Sequence, residues 1–216
     1  MTSDPGPGKL RALEHQDSLP ERPRWGVLGG TFDPPHLGHF SLAQSAADEL
    51  ALERVLWVPS ARPPHKKDAE LSPFVARATM AEMTARRDRR FDVSRLEASI
   101  KGDTYTVKML AHLATALPEM ELYFIVGADV LPELPGWYHP ERIARWATLA
   151  CGVRPGHMRP DPKSLPVGKV VYFEGPELEI SSTRVREMVG RGLPIEELVT
   201  PDVARYIREN KLYAKP

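Results

Sequence analysis

The sequence predicts an α/β fold in which helices cover both faces of a parallel sheet, and three observations carry that expectation. Short apolar runs alternate with stretches of helical periodicity along most of the chain. The runs are continuously apolar, as in Leu122-Tyr123-Phe124-Ile125-Val126, which is the pattern of a strand buried on both sides. The first run, Trp25–Leu28, passes through glycines straight into a helix start, the junction at which open α/β sheets hold ligands. Together they describe a Rossmann-like, doubly wound parallel sheet with a small C-terminal helical part.

Taken in order, residues Met1 to Pro23 hold four prolines and no aromatic residue. Such a stretch buries too little to offset its ordering entropy, so 1–23 is expected to be a flexible extension and 24–216 a single domain. Trp25–Gly29 reads as the first strand. Leu37, Phe40, Ala43, Ala47 and Leu50 then recur at helical spacing. Val55–Val58 is a second buried strand, ended by Pro59. A helix is expected from Ser72, with Pro73 in its first turn, to about Arg87. Asp103 or Thr104 is placed to cap the next helix, whose apolar face is Leu110, Leu113, Ala114 and Leu117. Leu122–Val126 and Val170–Phe173 read as strands, and Cys151 sits in another strand-like run. Helices near Ser182–Arg191 and Pro201–Asn210 make the last part, about 181–213, a small helical cap.

Composition excludes several functions. The 29 basic and 29 acidic residues cancel, so no overall field exists to grip nucleic acid or a membrane, and neither is expected as a partner. The run Arg86-Arg87-Asp88-Arg89-Arg90 lacks interleaved aromatics and reads as a solvated helix end. No apolar stretch approaches the ~20 residues of a membrane span, and the N-terminus lacks the apolar core of a secretory signal. A cytoplasmic location is expected. A lone cysteine, Cys151, rules out an internal disulfide and reads as buried filler rather than a nucleophile. Homo-oligomerisation stays open.

The chemistry concentrates in Gly29-Gly30-Thr31-Phe32-Asp33-Pro34-Pro35-His36-Leu37-Gly38-His39. Amide groups and the dipole at a helix N-terminus favour a phosphate. Histidines three residues apart there lie on roughly one face, and their N–H groups can stabilise charge moving onto a leaving pyrophosphate. The alternative is a structural histidine pair. Zinc fits poorly, because the two-histidine metalloprotease helix needs a spacing of four and a glutamate after the first histidine. A dinucleotide oxidoreductase is rejected, since Gly26, Gly29 and Gly30 lack the G-x-G-x-x-G spacing. Ser181 or Ser182 can cap a second helix mouth, to which Thr183 adds a hydroxyl and Arg186 a planar fork. Asp129, ending a strand after Gly127, is a candidate acceptor for ribose hydroxyls or simply a helix cap. Trp137 offers a face for an aromatic ring or is core.

The string Gly-Thr-Phe-Asp-Pro-Pro-His-Leu-Gly-His resembles the signature of nucleotidyltransferases with the HxGH motif. Pro63-Pro64-His65-Lys66, Asp103-Thr104-Tyr105-Thr106-Val107, Tyr123 to Asp129, Trp137-Tyr138, Arg154-Pro155-Gly156, Ile180 to Glu187 and Tyr206 to Tyr213 follow in order. That series is similar to bacterial nicotinate-nucleotide adenylyltransferases, over about Arg24 to Tyr213. The resemblance implies transfer of AMP from ATP to nicotinate mononucleotide by direct in-line attack, in NAD biosynthesis, with Mg²⁺ travelling on the ATP phosphates rather than in a protein cage. It implies catalytic roles for His36, His39, Lys66 and Arg186. It assigns ATP to Gly29, Gly30, Thr31, Phe32, His36, His39, Gly127, Asp129, Ser181, Ser182, Thr183 and Arg186. It assigns nicotinate mononucleotide to Thr31, Lys66, Thr106, Trp137, Tyr138 and Arg154. A sister enzyme acting on nicotinamide mononucleotide or phosphopantetheine, and a regulatory nucleotide-binding module without turnover, are the competing readings.

Overall fold

The computed structural model describes residues 22–63 and 71–214. Its strands are β1 (Arg24–Gly30), β2 (Arg54–Pro59), β3 (Phe91–Val93), β4 (Glu121–Gly127), β5 (Thr148–Val153) and β6 (Val170–Glu174). They form one sheet in the order β3-β2-β1-β4-β5-β6, and every neighbouring pair is parallel. This is the doubly wound order, reversing direction between β1 and β4.

Continuous apolar runs now have their physical reason. Successive side chains of β4 alternate between faces: Leu122, Phe124 and Val126 join Val27, Val58, Leu149 and Cys151 in one core. Tyr123 and Ile125 join Leu28, Val55, Trp57, Ala150 and Phe173 in the other. Small residues let helices sit close on the second face: Ala43, Ala46 and Ala47 of α1 (Leu37–Glu49) with Ala81 and Ala85 of α2 (Phe74–Ala85). The first face is closed by Met109, Leu110 and Leu113 of α3 (Thr106–Ala116). Two 3-10 segments, Ala128–Gly136 and Pro140–Arg145, add Leu131, Leu134 and Ile143 to it. Pro132 and Pro135 within the first of these deny it a regular α ladder.

The expected C-terminal helices are α4 (Ser182–Gly190) and α5 (Pro201–Glu209). Val185, Val203, Ala204 and Ile207 pack on Met80 of α2, so this part leans on a helix rather than on the sheet. Among the described residues no helix is long and apolar enough to cross a membrane.

Three local expectations change. The short β3 was not foreseen, because three residues carry no readable period. Neither Asp103 nor Thr104 caps α3: Tyr105 holds the N-cap position, and the Thr104 hydroxyl turns away to the backbone of Arg62. The arginine run does end α2, but Arg90 is tied to Asp48 and Asp88. The proposed extension lies outside the described residues apart from Arg22 and Pro23. These two are joined to the body, Arg22 donating to the carbonyls of Pro118 and Glu119 and Pro23 accepting from Glu121 N at 2.9 Å.

Candidate active site

The turn between β1 and α1 is built around a buried aromatic ring. Phe32 takes a left-handed backbone (φ 51°), and its side chain is 1% exposed, 5.2 Å from the Trp57 ring and edge-on to His39 at 5.1 Å. A Cβ on Gly30 would stand 2.9 Å from that ring, so Gly30 makes room for Phe32 rather than for a ligand. A Cβ on Gly38 would stand 3.0 Å from His36 Nδ1. The missing side chain between the histidines therefore first serves the His36 ring itself.

His36 occupies the N-cap of α1, and its ring lies 3.7 Å from that of His39, tilted by 32°. Burial holds the His36 imidazolium down to about 4, so the ring is neutral at physiological pH. Its Nδ1 has no hydrogen-bond partner among the described residues. The His36 amide donates to His39 Nδ1 at 3.2 Å. With Nδ1 accepting, the N–H of His39 is on Nε2. Two imidazolium charges at this ring spacing would repel by roughly 4 kcal/mol at an effective dielectric near 20. The two rings are thus not both charged, and His36 is the neutral member.

Both rings line a cleft of about 1230 Å³ at the carboxyl ends of β1, β4 and β5. That exceeds the ~300–1,000 Å³ of typical small-ligand sites and suits two nucleotides together. Gly29, Gly127, Asp129, Trp137, Arg154, Ser181, Ser182, Thr183 and Arg186 line it as well. The two helix mouths are fastened directly to each other. Ser182 Oγ donates to the Pro34 carbonyl at 2.8 Å, and Arg186 Nη1 donates to the Asp33 carbonyl at 2.8 Å. Arg186 Nη2 also donates to Thr183 Oγ1 at 3.2 Å. Of the two serines, Ser181 is the cap, accepting from Arg184 N at 3.1 Å. The Asp129 carboxylate folds back over Gly127, where any Cβ would collide with it. Trp137 is half-buried, its ring edge-on to Phe124 at 6.2 Å. Arg154 is paired with Glu179 at 2.8 Å on the exposed rim.

Several expected residues do not line this cleft. Gly30 and Phe32 serve the turn's own packing. The Thr31 carbonyl accepts from Arg77. Thr106 is the first residue of α3 and is half-buried. The Tyr138 ring stacks on Tyr105 at 4.4 Å beneath the Lys108 ammonium, so its side chain is occupied outside the cleft. Lys66 lies outside the described residues.

Sequence reasoning missed the polar scaffold below the turn. Arg77, 2% exposed, donates from Nη1 to the carbonyls of Thr31 and Ser60, both at 2.7 Å, and from Nε to that of Ser72 at 3.0 Å. Burial lowers its proton affinity, while Asp33, Tyr213 and Glu97 act to restore it. Asp33, 1% exposed, accepts from Tyr213 Oη at 2.6 Å and from Ser72 N at 3.3 Å. Glu97 Oε2 accepts from Ala61 N at 2.9 Å. One signal was available: Arg77 falls on the same helix stripe as Ala81 and Thr84, both buried.

Residues 27–188 match the sequence profile described as Cytidylyltransferase-like. The chain belongs to this family. A probable nicotinate-nucleotide adenylyltransferase of Dehalococcoides mccartyi strain CBDB1 is 38% identical over 197 residues, spanning 88% of this chain and 97% of the relative. The relative of the same name in Acidothermus cellulolyticus is 37% identical over 199 residues, spanning 90% of this chain and 96% of its own. Within the family, the chain therefore groups with the nicotinate-nucleotide adenylyltransferases, as its motifs implied. The fold is shared with Plasmodium falciparum nicotinic acid mononucleotide adenylyltransferase complexed with NaAD. The TM-score is 0.74 at 20% identity, covering 88% of this chain and 97% of that one.

Proposed function

We infer that the protein transfers AMP from ATP to nicotinate mononucleotide, forming nicotinate adenine dinucleotide and pyrophosphate on the route to NAD. The observation that carries this reading is the direct joining of two helix mouths, one led by His36 and one by Ser181, across a cleft large enough for both substrates. The 5′-phosphate oxygen of the acceptor attacks the α-phosphorus. The bond from that phosphorus to the bridging oxygen breaks, and the electron pair leaves with pyrophosphate. Covalent catalysis by Cys151 is disfavoured, because burial pushes its thiol up to about 12.

The remaining work is alignment and charge stabilisation. His36, His39, Thr183 and Arg186 donate to the triphosphate, Lys66 draws the two anions together, and Gly127 leaves room for Asp129 to accept from the ribose. Gly29 brings backbone close to the phosphates, and Ser181 and Ser182 orient the α4 mouth rather than spending their hydroxyls on ATP. Gly30, Thr31 and Phe32 act by shaping the turn. Trp137 stacks the pyridine ring, Thr106 and Tyr138 contribute through the backbone around it, and Arg154 adds charge at the acceptor rim. Among the described residues no group of three His, Cys, Asp or Glu stands close enough to hold a metal. Mg²⁺ is proposed to travel on ATP oxygens and water and to neutralise phosphate charge when bound. A cytoplasmic site is proposed on the same footing as before.

Pyrophosphate release from ATP across an acceptor panel tests the reading. Turnover with nicotinate mononucleotide, and less with the amide or phosphopantetheine, is the expected result. Clear preference for the amide removes the carboxylate assignment, and ATP binding with no release for any acceptor favours a regulatory module.

A further inference from the structure

The buried guanidinium of Arg77 has a use that stability does not explain. A desolvated charge on a buried helix stripe is often no better for stability than a well-packed apolar side chain. Besides the Ser72 carbonyl before α2, its hydrogen bonds go to main-chain carbonyls just past the ends of two neighbouring strands. One nitrogen, Nη1, bridges Thr31 at the end of β1 and Ser60 at the end of β2, both at 2.7 Å. On one side of this bridge lies the turn that carries His36. On the other side, Ser60 to Arg62 is gripped by acceptor-side residues: Glu97 Oε2 takes Ala61 N at 2.9 Å, and Thr104 Oγ1 meets Ser60 Oγ and Arg62 N, each at 3.3 Å. Thr104 in turn leads into α3 beside the Tyr105–Tyr138 stack, next to Trp137.

We propose that Arg77 is a positioning residue that sets the separation between the triphosphate turn and the acceptor-side scaffold, and so aligns the two phosphates for in-line transfer. The inference rests on the adenylyl-transfer reading above. The planar group spans three carbonyls in a fixed geometry, Nε holding Ser72 while Nη1 holds Thr31 and Ser60; lysine keeps the charge but gathers its donors on one mobile ammonium and cannot cover that spread. Misplacement of reacting groups by about 1 Å is enough to cost on the order of 10²-fold in rate.

The test compares wild type with Arg77→Lys and with Thr104→Val, which removes the hydroxyl that holds Ser60 and Arg62 at the acceptor-side end of the Arg77 bridge while preserving side-chain shape. Steady-state rates are normalised to the folded fraction, measured by stoichiometric ATP binding. Arg77→Lys is expected to lower kcat about 30- to 100-fold with the ATP dissociation constant moved less than about 3-fold, and Thr104→Val to lower kcat about 3- to 10-fold in the same pattern. A purely structural role predicts a lower melting temperature with normal kcat per folded molecule, and that outcome overturns the proposal. Should Arg77→Lys not fold, wild-type kcat in Thr104→Val overturns it equally. Wild-type protein that releases no pyrophosphate with any acceptor defeats the adenylyl-transfer reading instead, so the two failures are distinct.

Discussion

Replacing His36 by glutamine removes a buried base whose titration is wired to folding. The free imidazole ionises near 6.5, whereas burial brings the folded group to about 4. Between those values the unfolded chain binds a proton that the folded chain refuses, so acidification favours unfolding. Stability from this group is whole above the free value and is lost as pH falls towards the folded one. At about pH 5 the difference amounts to about 2 kcal/mol, from the two ionisation constants and 1.36 kcal/mol per unit. Urea unfolding at about pH 7.5 and pH 5, followed by tryptophan fluorescence, measures it. Wild type should lose about 2 kcal/mol more than His36→Gln between the two conditions. Other titrating groups contribute to both proteins and cancel in the comparison. Equal losses would refute the claim that a neutral, desolvated imidazole stands at the helix mouth.

His39→Ala removes a charge-stabilising donor and should lower turnover by ~10²-fold or more with the fold intact, read by pyrophosphate release and circular dichroism. Near-normal turnover would take His39 out of the chemistry. Trp137→Ala should raise the acceptor KM about 5- to 100-fold, the scale of one lost base–aromatic stack, and leave the ATP KM near its starting value. Gly127→Ala drives a Cβ into the Asp129 carboxylate and should raise the ATP KM while sparing the acceptor KM; unchanged ATP kinetics would end the ribose assignment. Tyr213→Phe leaves the buried Asp33 Oδ1 without its 2.6 Å donor and should destabilise by about 1–3 kcal/mol in thermal or urea unfolding.

What the chain announces by itself is local. The β1 run, its glycines and the helix start at His36 are contiguous, and their spacing alone predicts a strand-to-helix junction of the kind that suits a phosphate. Both faces of β4 being apolar required helices on each side, which the structure supplies through α1, α2 and α3. The serine cap, Ser181 or Ser182, and Arg186 were readable for the same reason, as a cap and a charge near one helix start. Tertiary structure decided the rest. Phe32 sits in the turn between the glycines and His36 yet points inward, because the ring meets Trp57 once β2 has paired with β1. Tyr138 looks available in sequence and is taken by Tyr105, 33 residues away. Above all, the scaffold of Arg77, Asp33, Glu97 and Tyr213 joins residues drawn from the start, middle and end of the fold. A buried polar group takes partners wherever folding brings an unpaired donor or acceptor near, and that proximity leaves no periodic trace along the chain.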